Sequence, residues 1–410
     1  MTVDLSQPIE SQNRLVNIDI IRGIALLGIL VMNIQAFSMN FAAYMNPTVY
    51  GDLNGANYYV YYFSHLFADQ KFMSIFSMLF GAGIVLMAQN IERKGGSAKK
   101  IHYKRMFILA LVGLAHAYLL WFGDILLPYA IAGMIVFLAR NKSPKFLLIT
   151  GASLIAICGL LFWSISMAVP FMSEQELAEM MAMWSPSKEL IAQDIAANQA
   201  SWLGQSEQRI TMAAMAQGNV LFYMPRVLGL MMFGMALFKL DFFGERFRTK
   251  TLFIIGLTAC VIALYLSATG VEGSFTRGWD LTTMFTETQF NYWGSVIMAL
   301  GYMCLLVCFC RSTVLGKLKS LLANVGRMAL TNYLSHTIIC SFIFYGWGLG
   351  YYGSFERTEQ IMLVMAIWIF QLFFSTFWMN RYRFGPFEWV WRSLTYGKLQ
   401  PLAKLEVVTS

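Results

Sequence analysis

A chain of 410 residues that is 58% hydrophobic and only 13% charged, with a mean hydropathy of +0.56, is not a soluble globule. Four His, six Cys and nine Pro leave little room for a zinc module, a disulfide scaffold or a disordered tail. What fits is an all-α, polytopic bundle of membrane helices.

A bilayer core about 30 Å thick needs roughly 20 apolar residues per spanning helix. Ten stretches meet that standard: 20–39, 72–89, 106–122, 125–139, 146–167, 218–238, 252–268, 290–310, 328–349 and 361–379. The third and fourth form a tight hairpin around Gly123 and Asp124. The first follows a polar start with no small-residue cleavage site and is too long for a signal-peptide core, so it is expected to act as an uncleaved anchor.

Basic residues fix the expected orientation, because short cytoplasmic loops retain Lys and Arg. With the N-terminus inside, the inner segments hold 24 of the 30 Lys and Arg and eight of the 22 acidic residues. The outer segments keep Lys71, Lys188, Arg209, Arg226, Arg277 and Arg357 with the other fourteen acids. The faces then carry +16 and −8, which recovers the net charge of +8. Both termini are expected to be cytoplasmic. The basic excess faces anionic headgroups, so the bilayer is the expected partner and nucleic acid is not.

The expected organisation is a membrane half over 1–170, an extracytoplasmic helical segment over 171–217 and a second membrane half over 218–410. In the middle segment, Ser173 and Glu176 have capping-box spacing, and Ser185 before Pro186 reads as an N-cap. Met180, Met181, Met183 and Trp184 are expected to lie on the membrane surface or the bundle. No internal repeat stands out. Cys304, Cys308 and Cys310 lack the spacing of a metal site and read as packing residues. The pairs Gly81 and Gly83, and Gly229 and Gly234, read as close helix contacts.

Polar groups at membrane depth carry the functional information, since a charge at the bilayer centre costs about 2.5 to 3.5 kcal/mol or more. On the first span these are Asp19, Arg22 and Asn33. Asp19 and Arg22 stand three apart at the inner mouth, a spacing that serves either a local ion pair or a contact for a cytosolic anion. Asn33 lies fourteen residues further, roughly 21 Å deeper. His116 is eleven residues beyond Arg105, roughly 16 Å into the membrane. Asp124 follows it across the turn, where it would orient the imidazole as a general base or cap the fourth helix. Arg226 lies on the sixth span, and Asn332 and His336 on the ninth, where Tyr333 and Ser335 stand close enough to satisfy His336. His65 and His102 are expected to be interfacial or solvated.

The opening Arg14-Leu-Val-Asn-Ile-Asp19-Ile-Ile-Arg22-Gly23, with Val-Met-Asn33-Ile, resembles the YeiB-like bacterial inner-membrane family. So do Lys71-Phe-Met-Ser-Ile-Phe-Ser-Met-Leu-Phe80-Gly-Ala-Gly83 and Gly113-Leu-Ala-His116 with Gly123-Asp-Ile-Leu126. Gly326-Arg-Met-Ala-Leu-Thr-Asn332-Tyr-Leu and Gly385-Pro-Phe-Glu-Trp-Val-Trp-Arg392-Ser-Leu-Thr-Tyr-Gly397 resemble the family's C-terminal domain of unknown function. Asp19-x-x-Arg22-Gly23 is also similar to transmembrane acyltransferases of the acyltransferase 3 and heparan glucosaminide acetyltransferase types. That distant similarity implies transfer from cytosolic acyl-CoA across the membrane. The acyltransferase 3 pattern has a His where this chain has Asn33, which leaves His116 as the available base.

The resulting expectation is a multi-pass enzyme of the bacterial inner membrane with no tightly bound cofactor. Arg22 and inner-loop cations would hold acyl-CoA, His116 oriented by Asp124 would activate the acceptor, and Asn33 would steady the oxyanion. The small-molecule acceptor would be a sugar or envelope metabolite. The alternative is a transporter in which Arg226, His116 and Asp124 form a substrate or proton path. Its tests differ: flux lost on neutralising Asp124 against turnover of acyl-CoA.

Overall fold

The computed structural model describes residues 16–404. Arg14 of the opening motif and both chain ends lie outside them. Sixteen α-helices follow in chain order. They are α1 Val16–Ser38, α2 Ala42–Met45, α3 Gly55–Phe67, α4 Lys71–Arg93, α5 Ala98–Leu119, α6 Leu126–Val136, α7 Pro144–Ala168 and α8 Glu174–Trp184. Then come α9 Lys188–Asn198, α10 Ser206–Lys239, α11 Thr249–Thr276, α12 Glu287–Arg311, α13 Gly316–Arg327, α14 Ala329–Phe344, α15 Arg357–Arg381 and α16 Pro386–Tyr396.

Each of the ten expected apolar stretches falls on one of these helices. Seven spans among the described residues are long and apolar enough to cross a membrane, and Leu126–Ala139 and Ala329–Phe344 are shorter apolar helices. The chain is therefore an all-α membrane bundle. Its helices lean on close backbone contacts, since lipid offers no hydrophobic drive between them. The Gly81 Cα sits against the Met231 carbonyl and Gly234 against that of Met78, which locks α4 to α10. Gly229 meets the Gly151 carbonyl of α7, whereas Gly83 faces open space.

The two sides of the charge partition stay separate in space. Hydrogen bonds between connecting segments join basic-side segments to each other: Asn17 to the Phe243 carbonyl, Lys239 to Lys142, Arg311 to Phe247 and Trp391 to Arg105. On the acidic side, Asn40 bonds Asp194, Trp184 bonds the Trp279 carbonyl, and Arg357 bonds the Tyr50 carbonyl.

One local expectation changes in the middle segment. The capping box of Ser173 and Glu176 is present, but Ser185 closes α8 and Ser187 is the N-cap of α9. Helix α10 starts at Ser206, so the end of the 171–217 segment and the sixth apolar stretch form one continuous helix. Residues 206–217 are too polar to meet the apolar standard, yet they are good helix formers and supply the first turns of α10. Trp184 is buried, while Met181 and Met183 are exposed.

Candidate active site

The α5–α6 hairpin builds the site. Gly113 lets the two helices close, because any Cβ there would strike the Leu127 amide. That closeness brings Asp124 beneath the last turn of α5. Its Oδ1 accepts a hydrogen bond from His116 Nδ1 at 2.9 Å, and its Oδ2 accepts from the Leu127 amide at 2.8 Å. Orienting the imidazole and capping α6 are thus one arrangement, not alternatives. Both side chains are at most 2% exposed.

The third member comes from α14. His116 Nε2 is 2.8 Å from Thr337 Oγ1. A carboxylate only accepts, so Nδ1 carries a proton, and in the neutral imidazole the Nε2 lone pair receives the threonine hydroxyl. The result is a buried chain, Asp124–His116–Thr337, across three elements. It has the layout of an orienting group, a base and a hydroxyl. Tyr333, one turn before Thr337, donates to the Gly123 carbonyl, accepts from the Ile125 amide and places its ring 5.3 Å from the imidazole.

Asn33 does not bond to this chain. It is half-buried and makes no side-chain hydrogen bond among the described residues. One turn further, Phe37 stacks on Trp121 at 3.8 Å, and the Trp121 ring lies 6.4 Å from that of His116. Trp121 thus packs beside the imidazole, with Phe37 of α1, four residues from Asn33, stacked on it.

At the basic end, a cavity of about 480 Å³ is lined by Asn17, Asp19, Ser312, Thr313, Lys319 and Arg327, among others. Arg22 is paired with Asp19 at 3.1 Å, and the cations that line the cavity are Lys319 and Arg327. Arg22 itself does not line this cavity. Two sequence motifs meet here: a Cβ on Gly23 would collide with the Leu322 carbonyl, and one on Gly326 with that of Asp19.

Asn332 and His336 belong to a separate polar seam. Asn332 Nδ2 donates to the Val325 carbonyl and to Ser375 Oγ. Gln371 donates to the Asn332 carbonyl and Ser335, so its Oε1 faces His336 Nε2 at 2.8 Å. The Nε2 partner of His336 thus comes from α15, not from Tyr333 or Ser335, and its Nδ1 is buried without a hydrogen bond among the described residues. His102 corrects an expectation too. It is fully buried, bonded to the Gly133 carbonyl and stacked on Phe137. His65 is half-buried with Nδ1 at the Tyr61 carbonyl.

Arg226 sits elsewhere, held by Ser74 and Ser295, and no hydrogen bond among the described residues links it to His116 or Asp124. Cys308 and Cys310 bond different carbonyls, those of Thr249 and Asn17. Sequence reasoning missed Thr337, Lys71, Arg357 and Glu388. Thr337 is one of many hydroxyls in apolar runs, and nothing in its neighbours marks it. Glu388 carries more signal, since it lies in a C-terminal motif. Its carboxylate accepts from the Leu330 and Thr331 amides and from Thr331 Oγ1, capping α14.

Comparison with known proteins gives consistent matches along the whole chain. The family described as "Protein of unknown function (DUF418)" matches residues 237–398. "Uncharacterized protein YeiB" of Escherichia coli (strain K12) is 31% identical over 391 residues, covering 93% of this chain and 96% of that protein. "Uncharacterized protein YxaH" of Bacillus subtilis (strain 168) is 31% identical over 424 residues, covering 97% of this chain and 98% of that one. A 39.9 kDa protein from Bacillus acidopullulyticus is 24% identical over 412 residues.

Proposed function

The chain belongs to the YeiB-like family of membrane proteins, and for it we propose membrane-embedded acyl transfer from acyl-CoA to a small acceptor on the opposite face. The observation that carries this reading is the buried Asp124–His116–Thr337 chain. A carboxylate that fixes the Nδ1–H tautomer leaves Nε2 as a base, the arrangement general-base catalysis requires. The Thr337 hydroxyl occupies the position that an acceptor's hydroxyl or amine would take when it surrenders its proton.

The cavity at the basic end supports the donor half. Lys319 and Arg327 offer charge to the phosphates of CoA, with the Ser312 and Thr313 hydroxyls beside them. The thioester arm would extend along the bundle toward the hairpin. Transfer forms a new ester or amide to the acceptor and releases CoA thiol, the acceptor's proton passing through His116. Placed in the bacterial cytoplasmic membrane with its basic face inward, the protein would acylate a sugar or envelope metabolite outside.

Thiol release tests this. Reconstituted protein given acetyl-CoA and a lysate-derived pool of small envelope metabolites should release CoA thiol, and His116→Gln should reduce the rate at least about 100-fold, the range general-base removal produces. No acyl-CoA turnover by correctly folded protein, with solute flux that depends on Asp124, would replace acyl transfer with transport.

A further inference from the structure

Two buried cations, Lys71 at the start of α4 and Arg226 on α10, have no carboxylate paired to them among the described residues. Lys71 is fully buried, and Arg226 is 6% exposed. Arg226 donates to Ser295 Oγ at 2.7 Å, Ser74 Oγ at 3.3 Å and the Tyr292 carbonyl at 3.5 Å, and lies 4.4 Å over the Tyr292 ring. Ser74 and Ser295 spend their own protons on the Gln70 and Tyr292 carbonyls, so each turns a lone pair to the guanidinium. Lys71 donates to the His65 carbonyl and to Asn291 Oδ1.

One acid is close. Asp69 receives Tyr44 and Asn291, and reaches Lys71 only through the Asn291 amide. Neither Lys71 nor Arg226 takes part in an ion pair among the described residues, and the group of three carries a formal +1. Neutral oxygens satisfy the donors without cancelling that charge, which a low-dielectric interior penalises heavily.

We infer that Lys71 and Arg226 form a binding site for an oxyanion, the phosphate, sulfate or carboxylate group of a ligand reaching the protein from its acidic side. The hydroxyls of Ser74 and Ser295 hold the places its oxygens would take. Access lies along α10. Pro225, directly before Arg226, removes one backbone bond of that helix. Beyond it Leu221, Phe222 and Tyr223 are exposed, while the other half of α10 is locked to α4 through Gly81 and Gly234. Bending at Pro225 uncovers Arg226 without disturbing that lock. The site is separate from the His116 chain, so its occupancy is the same whether or not the protein transfers acyl groups.

The test is thermal unfolding of the full-length protein in neutral detergent against inorganic phosphate, with chloride holding ionic strength constant. The midpoint should rise saturably in the parent protein. Arg226→Gln and Lys71→Gln should each shift half-saturation at least about tenfold higher, and Asp69→Asn, which removes the competing negative charge, should shift it about threefold lower. Arg226→Lys keeps the charge and should keep the response. A second arm adds phosphatidylglycerol to the micelles. If the lipid raises the midpoint and abolishes the phosphate response, the occupant is a headgroup; if the response persists, it is a soluble anion. Absence of any response to phosphate and to the lipid overturns the site. So does a response unchanged in both Lys71→Gln and Asp69→Asn, even where Arg226→Gln does not fold.

Discussion

His116 has both ring nitrogens engaged and almost no exposure, so its chemistry depends on what can displace Thr337. A hydroxyl that only occupies the acceptor's place is dispensable for turnover. Thr337→Val should keep acyl transfer within about tenfold of the parent, while lowering stability by about 1–2 kcal/mol through the unpaired Nε2. Parallel turnover and unfolding measurements separate the two effects, and a collapse of turnover in a stable Thr337→Val would make the hydroxyl a reactant instead. Glu388 makes a pH-dependent prediction. Burial raises its carboxyl above the usual range against the pull of its Thr331 bonds. The folded state therefore holds this proton more tightly than the unfolded one, and the contribution is present below the ordinary carboxylate value and lost as pH rises through the folded value. Unfolding midpoints taken from pH 4 upward should show that decline in the parent relative to Glu388→Gln, and identical profiles would refute it.

At the scale of elements, the helices were legible because a bilayer dictates their length and composition, which hydropathy reports directly. Rotation about each axis was not, since lipid-facing and partner-facing sides are both apolar. Asp124 could be placed against His116 because a tight hairpin constrains both. Thr337, 221 residues from His116 in sequence, could not. Nor could the stacking of Phe37 on Trp121 beside the imidazole. The sequence also left open why the Asp19 motif ends in glycine. The answer is α13, whose backbone crosses α1 at Gly23 and Gly326. Gly23→Leu should force these helices apart at a cost of about 1–3 kcal/mol or more. It should also abolish acyl-CoA binding at the basic-side cavity, measurable as loss of CoA-dependent thermal stabilisation. Unchanged stabilisation would place the donor elsewhere.

For the molecule as a whole, charge asymmetry, the separate loop networks and the two polar sites describe a bundle with different chemistry at its two ends. Ser97→Cys on the basic side and Lys188→Cys on the acidic side should react with a membrane-impermeant maleimide from opposite faces of cell-derived vesicles. Reaction from the same face would break the topology. The most direct test of transfer across that bundle is a vesicle assay. Acyl-labelled CoA is supplied to the basic face and the small-metabolite pool is sealed on the other. Label should appear on an enclosed acceptor with CoA remaining outside, and Asp124→Asn should lose both transfer and thiol release. Label entering as intact acyl-CoA, or transfer undiminished by Asp124→Asn, would contradict acyl transfer across the bundle.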